Sequence, residues 1–487
     1  MGELKHFDVL IVGAGLSGID AAVHIGQAFP AKTYALLEQR GELGGTWSLF
    51  QYPGIRSDSD MHTLSYAFRP WTGKQAIADG PDILRYLRDT AEAYGVDRHI
   101  RYHRKVTRCS WSSVENRWTV TVEIIDNATT SETETLTCDF LVSAAGYFDY
   151  EHPFTPDWPS LAEFRGTVVH PQFWPADLDY RGKRVVVIGS GATAITLIPS
   201  MAREAGHITM LQRTPTYVIS QPRVNPATGR IQRLLGRRRA GNSMRTWYAA
   251  GTIGFYEFCT RFPTAARAIL KRWASAFLPD DFDYDTHFNP PYDPWDQRVC
   301  VVPNGDLFRA IRSHKVDVVT DHIERFTADG IVLASGQTLE ADIVVTATGL
   351  NVVTMGKAEL IVDDEKIELN SAFTYKSLML SGVPNSAFIL GYSNASWTLK
   401  ADLVCEYVVR LLKHMDRRGY QVAVAPTPTD VNPIPMFDLS SGYVQRALPS
   451  MPSAGDRDPW RLKQNWFFDR RLIRKGAIDD GVLEFRH

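Results

Sequence analysis

Two glycine-rich turns restrict the fold of this chain more than any other feature of its sequence. The first, VGAGLSG at residues 12–18, follows an apolar run and precedes a helical pattern. Gly13 allows a tight turn, Gly15 lets the backbone approach a pyrophosphate, and Gly18 lets the helix pack closely on the strand. The phosphates would lie at the helix N-terminus, where backbone N–H groups point outward. This order of strand, turn and helix predicts a Rossmann-like dinucleotide-binding unit.

A second turn repeats the design with Gly189 and Gly191, but its following strand ends differently. The strand after the first turn ends in Glu38, whose carboxylate can bind ribose hydroxyls and would repel a 2′-phosphate. The strand after the second turn ends in Arg213, whose guanidinium can pair with that phosphate. The first unit therefore suits FAD and the second NADPH, although Arg213 could also be a solvated surface residue. Further candidates for contacts at the second turn are Ala192, Thr193 and Thr214.

The two turns predict an α/β fold with two Rossmann-like dinucleotide-binding domains, one for FAD and one for NADPH, and a helical insertion. Two strand-like runs, residues 138–148 and 341–350, flank the second turn and indicate where the chain crosses between the domains. The predicted domains are, in order, FAD-binding 1–148, NADPH-binding 149–216, helical insertion 217–292, NADPH-binding 293–350 and FAD-binding 351–487. Residues 79–96 have helical spacing, and residues 98–123 alternate as in a small antiparallel layer.

Composition excludes several other classes of protein. A length of 487 residues allows more than one hydrophobic core, and a net charge of −2 gives no reason to expect nucleic acid as a partner. The 5 cysteines are scattered, which argues against a disulfide framework or a metal site and for a reducing, cytoplasmic setting. Residues 185–202 are uncharged, but their glycines and Pro199 fit strand, turn and helix better than a transmembrane span.

The predicted insertion has an unusual charge pattern. Residues 225–280 read as helices rich in arginine and aromatic residues and poor in acids. Such a surface can contact an anionic membrane peripherally or bind a partner, and an ordinary solvated helix face is the alternative interpretation.

Two longer patterns point to one family. FRGTVVHPQFWP matches the signature FxGxxxHxxxW(P/D) through Phe164, Gly166, His170, Trp174 and Pro175. GGTWSLFQYPGIRSD, residues 44–58, matches the pattern [A/G]GxWxxxx[F/Y]P[G/M]xxxD. Over nearly its whole length the sequence resembles the type I Baeyer–Villiger monooxygenases, and within them the subgroup of the mycobacterial ethionamide-activating monooxygenase.

The resemblance implies a reaction and a set of residues. NADPH reduces FAD, O₂ adds to the reduced flavin, and the resulting C4a-peroxyflavin converts a ketone into an ester or lactone or oxygenates a sulfide. Arg298 is the candidate cation beside the flavin, with Asp58 as its ion-pair partner. The chain departs from better-known members at Gln297, where they have a lysine. The flavin contacts implied by the resemblance are Gly45, Thr46, Trp47, Asp58 and Val106, and no metal is implied.

Some roles and functions stay open. The FRGTVVHPQFWP stretch is expected to couple the two domains, with a plain interface role or acid–base chemistry of His170 as alternatives. Trp397 is a candidate for the substrate pocket, with core packing as its alternative. An N-hydroxylating or S-oxygenating flavin-containing monooxygenase without Baeyer–Villiger activity would share the glycine turns. A flavin disulfide reductase would need a CxxC pair, which the sequence lacks. A nucleotide-sensing protein would not need the candidate catalytic residues Arg298 and Asp58.

Overall fold

Two sheets carry the two glycine turns. The computed structural model describes residues 4–125 and 132–487. The first sheet contains β1 (Lys5–Val12), β2 (Tyr34–Leu37), β3 (Ile100–Arg101), β4 (Arg104–Ser112), β5 (Arg117–Ile124), β6 (Glu132–Ser143), β17 (Glu359–Val362), β18 (Glu365–Lys366) and β21 (Ser386–Phe388). The second contains β7 (Thr167–Val169), β8 (Arg184–Ile188), β9 (His207–Gln212), β12 (Val316–Thr320) and β16 (Ile343–Thr346).

Shorter strands form small sheets, and helices cover both large ones. The small sheets are β10 (Val218–Gln221) with β11 (Cys300–Pro303), β13 (Ile323–Thr327) with β14 (Gly330–Leu333) and β15 (Thr338–Glu340), β19 (Thr374–Tyr375) with β20 (Met379–Leu380), β22 (Val422–Val424) with β25 (Glu484–Arg486), and β23 (Pro433–Ile434) with β24 (Ala454–Gly455). The α-helices are α1 (Leu16–Ala28), α2 (Thr46–Leu49), α3 (Met61–Leu64), α4 (Gly80–Ala93), α5 (Ala192–Met201), α6 (Thr228–Leu235), α7 (Arg237–Arg261), α8 (Pro263–Ser275), α9 (Tyr284–His287), α10 (Asp306–Arg312), α11 (Trp397–Arg418), α12 (Gly442–Ala447) and α13 (Trp466–Lys475).

Strand β6 unites the parallel and antiparallel parts of the first sheet. Its beginning pairs antiparallel with β5, and its end pairs parallel with both β1 and β21. The alternation in residues 98–123 predicts a small antiparallel layer, and β4 and β5 do pair antiparallel, as part of the larger first sheet. Since β6 is 12 residues long, it serves both arrangements and makes one continuous sheet.

The second sheet is entirely parallel, in the order β12-β9-β8-β16-β7. Its edge strand β7 comes from the FRGTVVHPQFWP stretch and pairs with β16. The two apolar runs predicted to cross between domains correspond to β6, which ends in the first sheet, and β16, which ends in the second. The predicted fold class, α/β with two Rossmann-like units, is confirmed, whereas the exact domain boundaries stay a prediction.

The predicted helical insertion, residues 217–292, contains the helices α6, α7, α8 and α9, together with β10. It is joined to the first unit by buried Arg245 of α7, which donates 3.0 and 3.3 Å hydrogen bonds to the carbonyls of Thr63 and Thr398 and also pairs with Asp402. In the described part of the chain, none of the helices combines the length and the apolar character needed to cross a bilayer.

Candidate active site between the two sheets

Each glycine turn lies against the end of a crossing strand. Gly13 has φ 99°, and a side chain there would put its Cβ 2.7 Å from the Ala144 carbonyl oxygen, just after β6. Gly189 has φ 133° and would clash with the Ala347 carbonyl, just after β16. The left-handed backbone and the close approach both require glycine. The two turns are therefore built in the same way, and each lies against the connection that follows a different crossing strand.

A cavity of about 1050 Å³ connects both turns. It is lined by nearly all of the residues proposed from the sequence as cofactor contacts or catalytic groups, namely Gly13, Gly15, Glu38, Gly45, Thr46, Trp47, Asp58, Val106, Gly189, Gly191, Ala192, Thr193, Arg213, Thr214 and Arg298. Gly18 does not line it, because it packs on Gly13 behind the turn. A side chain on Gly191 would meet no other atom within 4 Å, so open space lies beside this backbone.

Glu38 closes the first turn. Its Oε2 accepts a 2.8 Å hydrogen bond from the Ala14 N–H, and its Oε1 accepts one of 3.0 Å from the Arg40 N–H. Burial raises the pKa of this carboxyl, and these hydrogen bonds oppose the rise. The carboxylate thus lies buried beside the turn while it still contributes to the cavity wall.

At the second turn the polar residues after β9 have different roles. Gln212 is buried, and its Nε2 donates to the His287 carbonyl at 2.7 Å and to Thr320 Oγ1 at 2.9 Å. Its neighbour Arg213 is exposed and lines the cavity. Of these adjacent residues, Arg213 is therefore the one positioned for a ligand.

The GGTWSLFQYPGIRSD segment contacts both units. It begins beside the first glycine turn, where Gly15 and Gly45 are in contact. Phe50 and Tyr52 then join the apolar core around the second sheet, and Gly54 lies against Ser200 of α5. This path brings Asp58 to the cavity.

Asp58 and Arg298 form an ion pair at the cavity wall. Arg298 Nη2 lies 2.8 Å from Asp58 Oδ2, and the two side chains are 33 % and 42 % exposed. The Asp58 carboxylate raises the pKa of Arg298 further above its ordinary value. The backbone before Arg298 is unusual, because Trp295 has φ 79° two residues upstream of Gln297. The pairing expected from the sequence is present in the structure, and the arginine remains charged at any physiological pH.

Two tyrosines and a tryptophan complete this region. Tyr147, which follows β6, and Tyr443 of α12 lie close enough to Arg298 to interact with its charge. Trp397, at the start of α11, stacks on Tyr147 with ring centroids 4.9 Å apart and donates a 2.7 Å hydrogen bond to Ser17 Oγ. Trp397 therefore lines the cavity and also fixes α11 to α1. Neither Tyr147 nor Tyr443 is predicted from the sequence, where the one signal is the position of Tyr147 after a crossing strand.

The FRGTVVHPQFWP stretch lies outside the cavity lining. Phe164 packs in the apolar core on one side of the second sheet, and Trp174 packs against the core on the other side. His170 faces the backbone of Phe154 and Gly349, one from each crossing connection, and its Nδ1 accepts a 3.1 Å hydrogen bond from the Gln172 N–H. Burial lowers the pKa of His170, which favours the neutral ring.

The FRGTVVHPQFWP signature has a glycine at position 166 because no side chain fits there. A side chain there would meet the ring of Phe164 and, at 2.5 Å, the Asp342 carbonyl oxygen at the start of β16. The glycine therefore lets β7 dock as the edge strand.

Comparisons with known proteins agree with this geometry. Residues 77–247 match the family model described as flavin-binding monooxygenase-like, and residues 11–73 match an NAD(P)-binding Rossmann-like domain. The chain is 50 % identical over 483 residues to the FAD-containing monooxygenase EthA of Mycobacterium tuberculosis, covering 99 % of this chain and 98 % of EthA. It is 48 % identical over 490 residues to the putative FAD-containing monooxygenase MymA of the same organism, covering 99 % and 98 %.

Solved structures show the same fold. An oxidized steroid monooxygenase bound to NADP matches with a TM-score of 0.77 and 23 % identity, over 99 % of this chain and 100 % of that one.

Proposed function

Because the chain belongs to the family of FAD-containing monooxygenases that includes EthA and MymA, we propose that it uses FAD, NADPH and O₂ to convert ketones into esters or lactones and to oxygenate sulfides. The observation that carries this proposal is the single cavity that both glycine turns share with the Arg298–Asp58 pair. Two dinucleotide sites that open into one space allow electrons to pass from one cofactor to the other.

The first turn is the proposed FAD site. Gly13 and Gly15 present backbone without side chains at the N-terminus of α1, where N–H groups favour a pyrophosphate. Glu38 lies at the end of β2 and on the cavity wall, where a carboxylate can accept hydrogen bonds from ribose hydroxyls. Thr46 and Trp47 of α2 and Val106 of β4 also line the cavity and are proposed to contact the flavin.

The second turn is the proposed NADPH site. The open space beside Gly191 at the N-terminus of α5 suits a pyrophosphate, and Arg213 suits the 2′-phosphate that distinguishes NADPH from NADH. Thr193 and Thr214 supply hydroxyl groups on the same wall.

The chain's own groups position and stabilise the reacting species. FAD, when bound, supplies the activation of O₂ with electrons from NADPH, so that one oxygen atom reaches the substrate and the other leaves as water. Arg298 stabilises the negative charge that develops on oxygen, and Asp58 holds the guanidinium in place. Tyr147 and Trp397 form an aromatic wall that limits the access of water.

The test offers the purified, FAD-loaded protein a ketone, a thioether and an amine together with NADPH and ¹⁸O₂, and identifies the products by mass spectrometry. We expect an ester and a sulfoxide, each with one ¹⁸O atom and in proportion to the NADPH consumed. Products oxygenated only at sulfur or nitrogen would indicate a flavin-containing monooxygenase without Baeyer–Villiger activity. NADPH consumption without any oxygenated product would contradict both assignments.

A further inference from the structure

The junction between α6 and α7 exposes leucines among arginines. Leu234 is 83 % exposed and Leu235 is 48 % exposed, and Gly236, with φ 73°, turns the chain directly after them. The segment 230–239, which we call the Leu–Arg tip, also carries the exposed side chains of Arg230, Arg233, Arg237, Arg238 and Arg239. An apolar pair is thus surrounded by cationic groups at one end of the insertion.

The positive charge of the tip is not neutralised by the chain around it. Residues 205–256 contain no aspartate or glutamate. The neighbouring arginines that do form ion pairs are Arg223, with Asp79, and Arg245, with Asp402. Among the described residues, no carboxylate lies within ion-pair distance of the tip's arginines. The tip therefore presents uncompensated positive charge.

An additional aromatic side chain lies on the outward side of α7. Trp247 is 67 % exposed. It follows Arg239 by two steps of four residues, which places both on one face of the helix. Tryptophan has an apolar ring with a polar N–H group, a combination that suits the boundary between lipid headgroups and acyl chains.

We propose that the Leu–Arg tip docks on the anionic surface of a phospholipid bilayer. Leu234 and Leu235 enter the boundary between headgroups and acyl chains, and the surrounding arginines pair with lipid phosphates. Trp247 lies at the headgroup level. This proposal does not depend on which substrate the enzyme oxygenates.

The charge and the exposed leucines of the Leu–Arg tip favour an anionic bilayer over a second copy of the chain or a nucleic acid. A symmetric contact with a second copy of the chain would bring the two arginine clusters together, and like charges repel. A nucleic acid offers phosphates but leaves the leucines without an apolar partner. An anionic bilayer supplies both negative charge and an apolar interior.

The test is flotation of the FAD-loaded protein with vesicles of phosphatidylcholine, with or without phosphatidylglycerol, at low and high salt. We expect binding to the phosphatidylglycerol vesicles at low salt and at least about tenfold weaker binding without the anionic lipid or at high salt. Leu234→Ser/Leu235→Ser and Arg237→Gln/Arg238→Gln/Arg239→Gln should each weaken binding, while NADPH oxidation stays unchanged. Matched controls are Val114→Ser, an exposed residue of the β4–β5 turn, and Arg165→Gln/Arg203→Gln/Arg325→Gln, which removes the same charge from scattered exposed positions.

Three results would overturn the proposal. The first is equal flotation with neutral and anionic vesicles, and the second is equal loss of binding in the control triple variant. The third is a dimer in light scattering that the Leu234→Ser/Leu235→Ser change dissociates while vesicle binding is absent, because a second copy would then cover the tip. None of these results bears on the oxygenation reaction, so the two proposals fail separately.

Discussion

Arg298 Nη2 lies 2.8 Å from Asp58 Oδ2, and both residues line the cavity that the two glycine turns share. Asp58 ends the segment that starts beside the first glycine turn and packs against the second sheet. Arg298 precedes β11, which is also part of the core of the second unit. A movement of one sheet relative to the other will therefore change the distance between this ion pair and a ligand at the first turn.

Arg213 should determine the choice of coenzyme. Arg213→Ala is expected to raise KM for NADPH about 10- to 100-fold more than KM for NADH, since a lost charge-assisted contact costs about 1.5–3 kcal/mol. Steady-state kinetics with both coenzymes measure this. Arg203→Ala, an exposed arginine that does not line the cavity, is the control. Equal increases for NADPH and NADH would remove Arg213 from this role.

His170 is predicted to couple the crossing connections. His170→Ala should lower kcat, because the ring contacts backbone from both connections. FAD content and the unfolding midpoint should stay near those of the wild type, because His170 does not line the cavity. Steady-state kinetics, flavin absorbance and thermal unfolding measure the three quantities. An unchanged kcat would make His170 an ordinary interface residue, and loss of FAD would assign it a purely structural role.

Arg245 should contribute strongly to stability. Arg245→Met leaves buried Asp402 without its cation and removes the hydrogen bonds to the Thr63 and Thr398 carbonyls. Breaking a buried pair on one side typically costs about 3–5 kcal/mol in the free energy of unfolding. Urea unfolding measures the loss, with exposed Arg239→Met as a control on the same helix. A loss in Arg245→Met no larger than in the control would show that the pair is not stabilising.

His62 should make stability depend on pH. It is 2 % exposed, its ring centroid lies 5.0 Å from that of Tyr248, and burial lowers its pKa from 6.5 to about 4. The unfolded chain therefore binds a proton more readily than the folded one, so stability is full above pH 6.5 and falls as the pH decreases toward 4. The expected loss by pH 5 is about 2 kcal/mol. Urea unfolding at pH 7 and pH 5 should show this loss in the wild type but not in His62→Phe, and identical losses would exclude His62 as the cause.

The sequence was sufficient for those parts of the site that depend on local backbone geometry. Each glycine turn needs its own strand and helix, so the positions of Gly13 and Gly189 could be predicted without knowledge of the rest of the chain. The Asp58–Arg298 pair could be predicted only through the resemblance, since no local pattern relates two residues so far apart in the chain.

Contacts between distant segments could not be predicted. Tyr443 reaches Arg298 from α12, and Arg245 reaches Asp402 from the insertion, because the tertiary structure folds these segments onto one another. The continuous first sheet was also missed, because alternation in residues 98–123 defines the faces of a strand but not the partner with which it pairs.

Arg298 is proposed to be the cation that supports oxygen transfer. Loss of a positioned charge of this kind typically lowers the rate about 10²- to 10³-fold. In Arg298→Ala we expect flavin reduction by NADPH to remain measurable while ester and sulfoxide formation is lost and the electrons appear as hydrogen peroxide. Asp58→Ala should have a smaller effect in the same direction. Arg309→Ala, on the surface of α10, is the control and should behave like the wild type.

The most direct measurement is the yield of oxygenated product per NADPH consumed, with flavin reduction followed by stopped-flow absorbance in the same preparations. Arg298→Ala is expected to reduce its flavin but to form almost no product, with peroxide equal to the NADPH consumed. A product yield per NADPH near that of the wild type in Arg298→Ala would contradict this expectation and assign the catalytic cation to another residue.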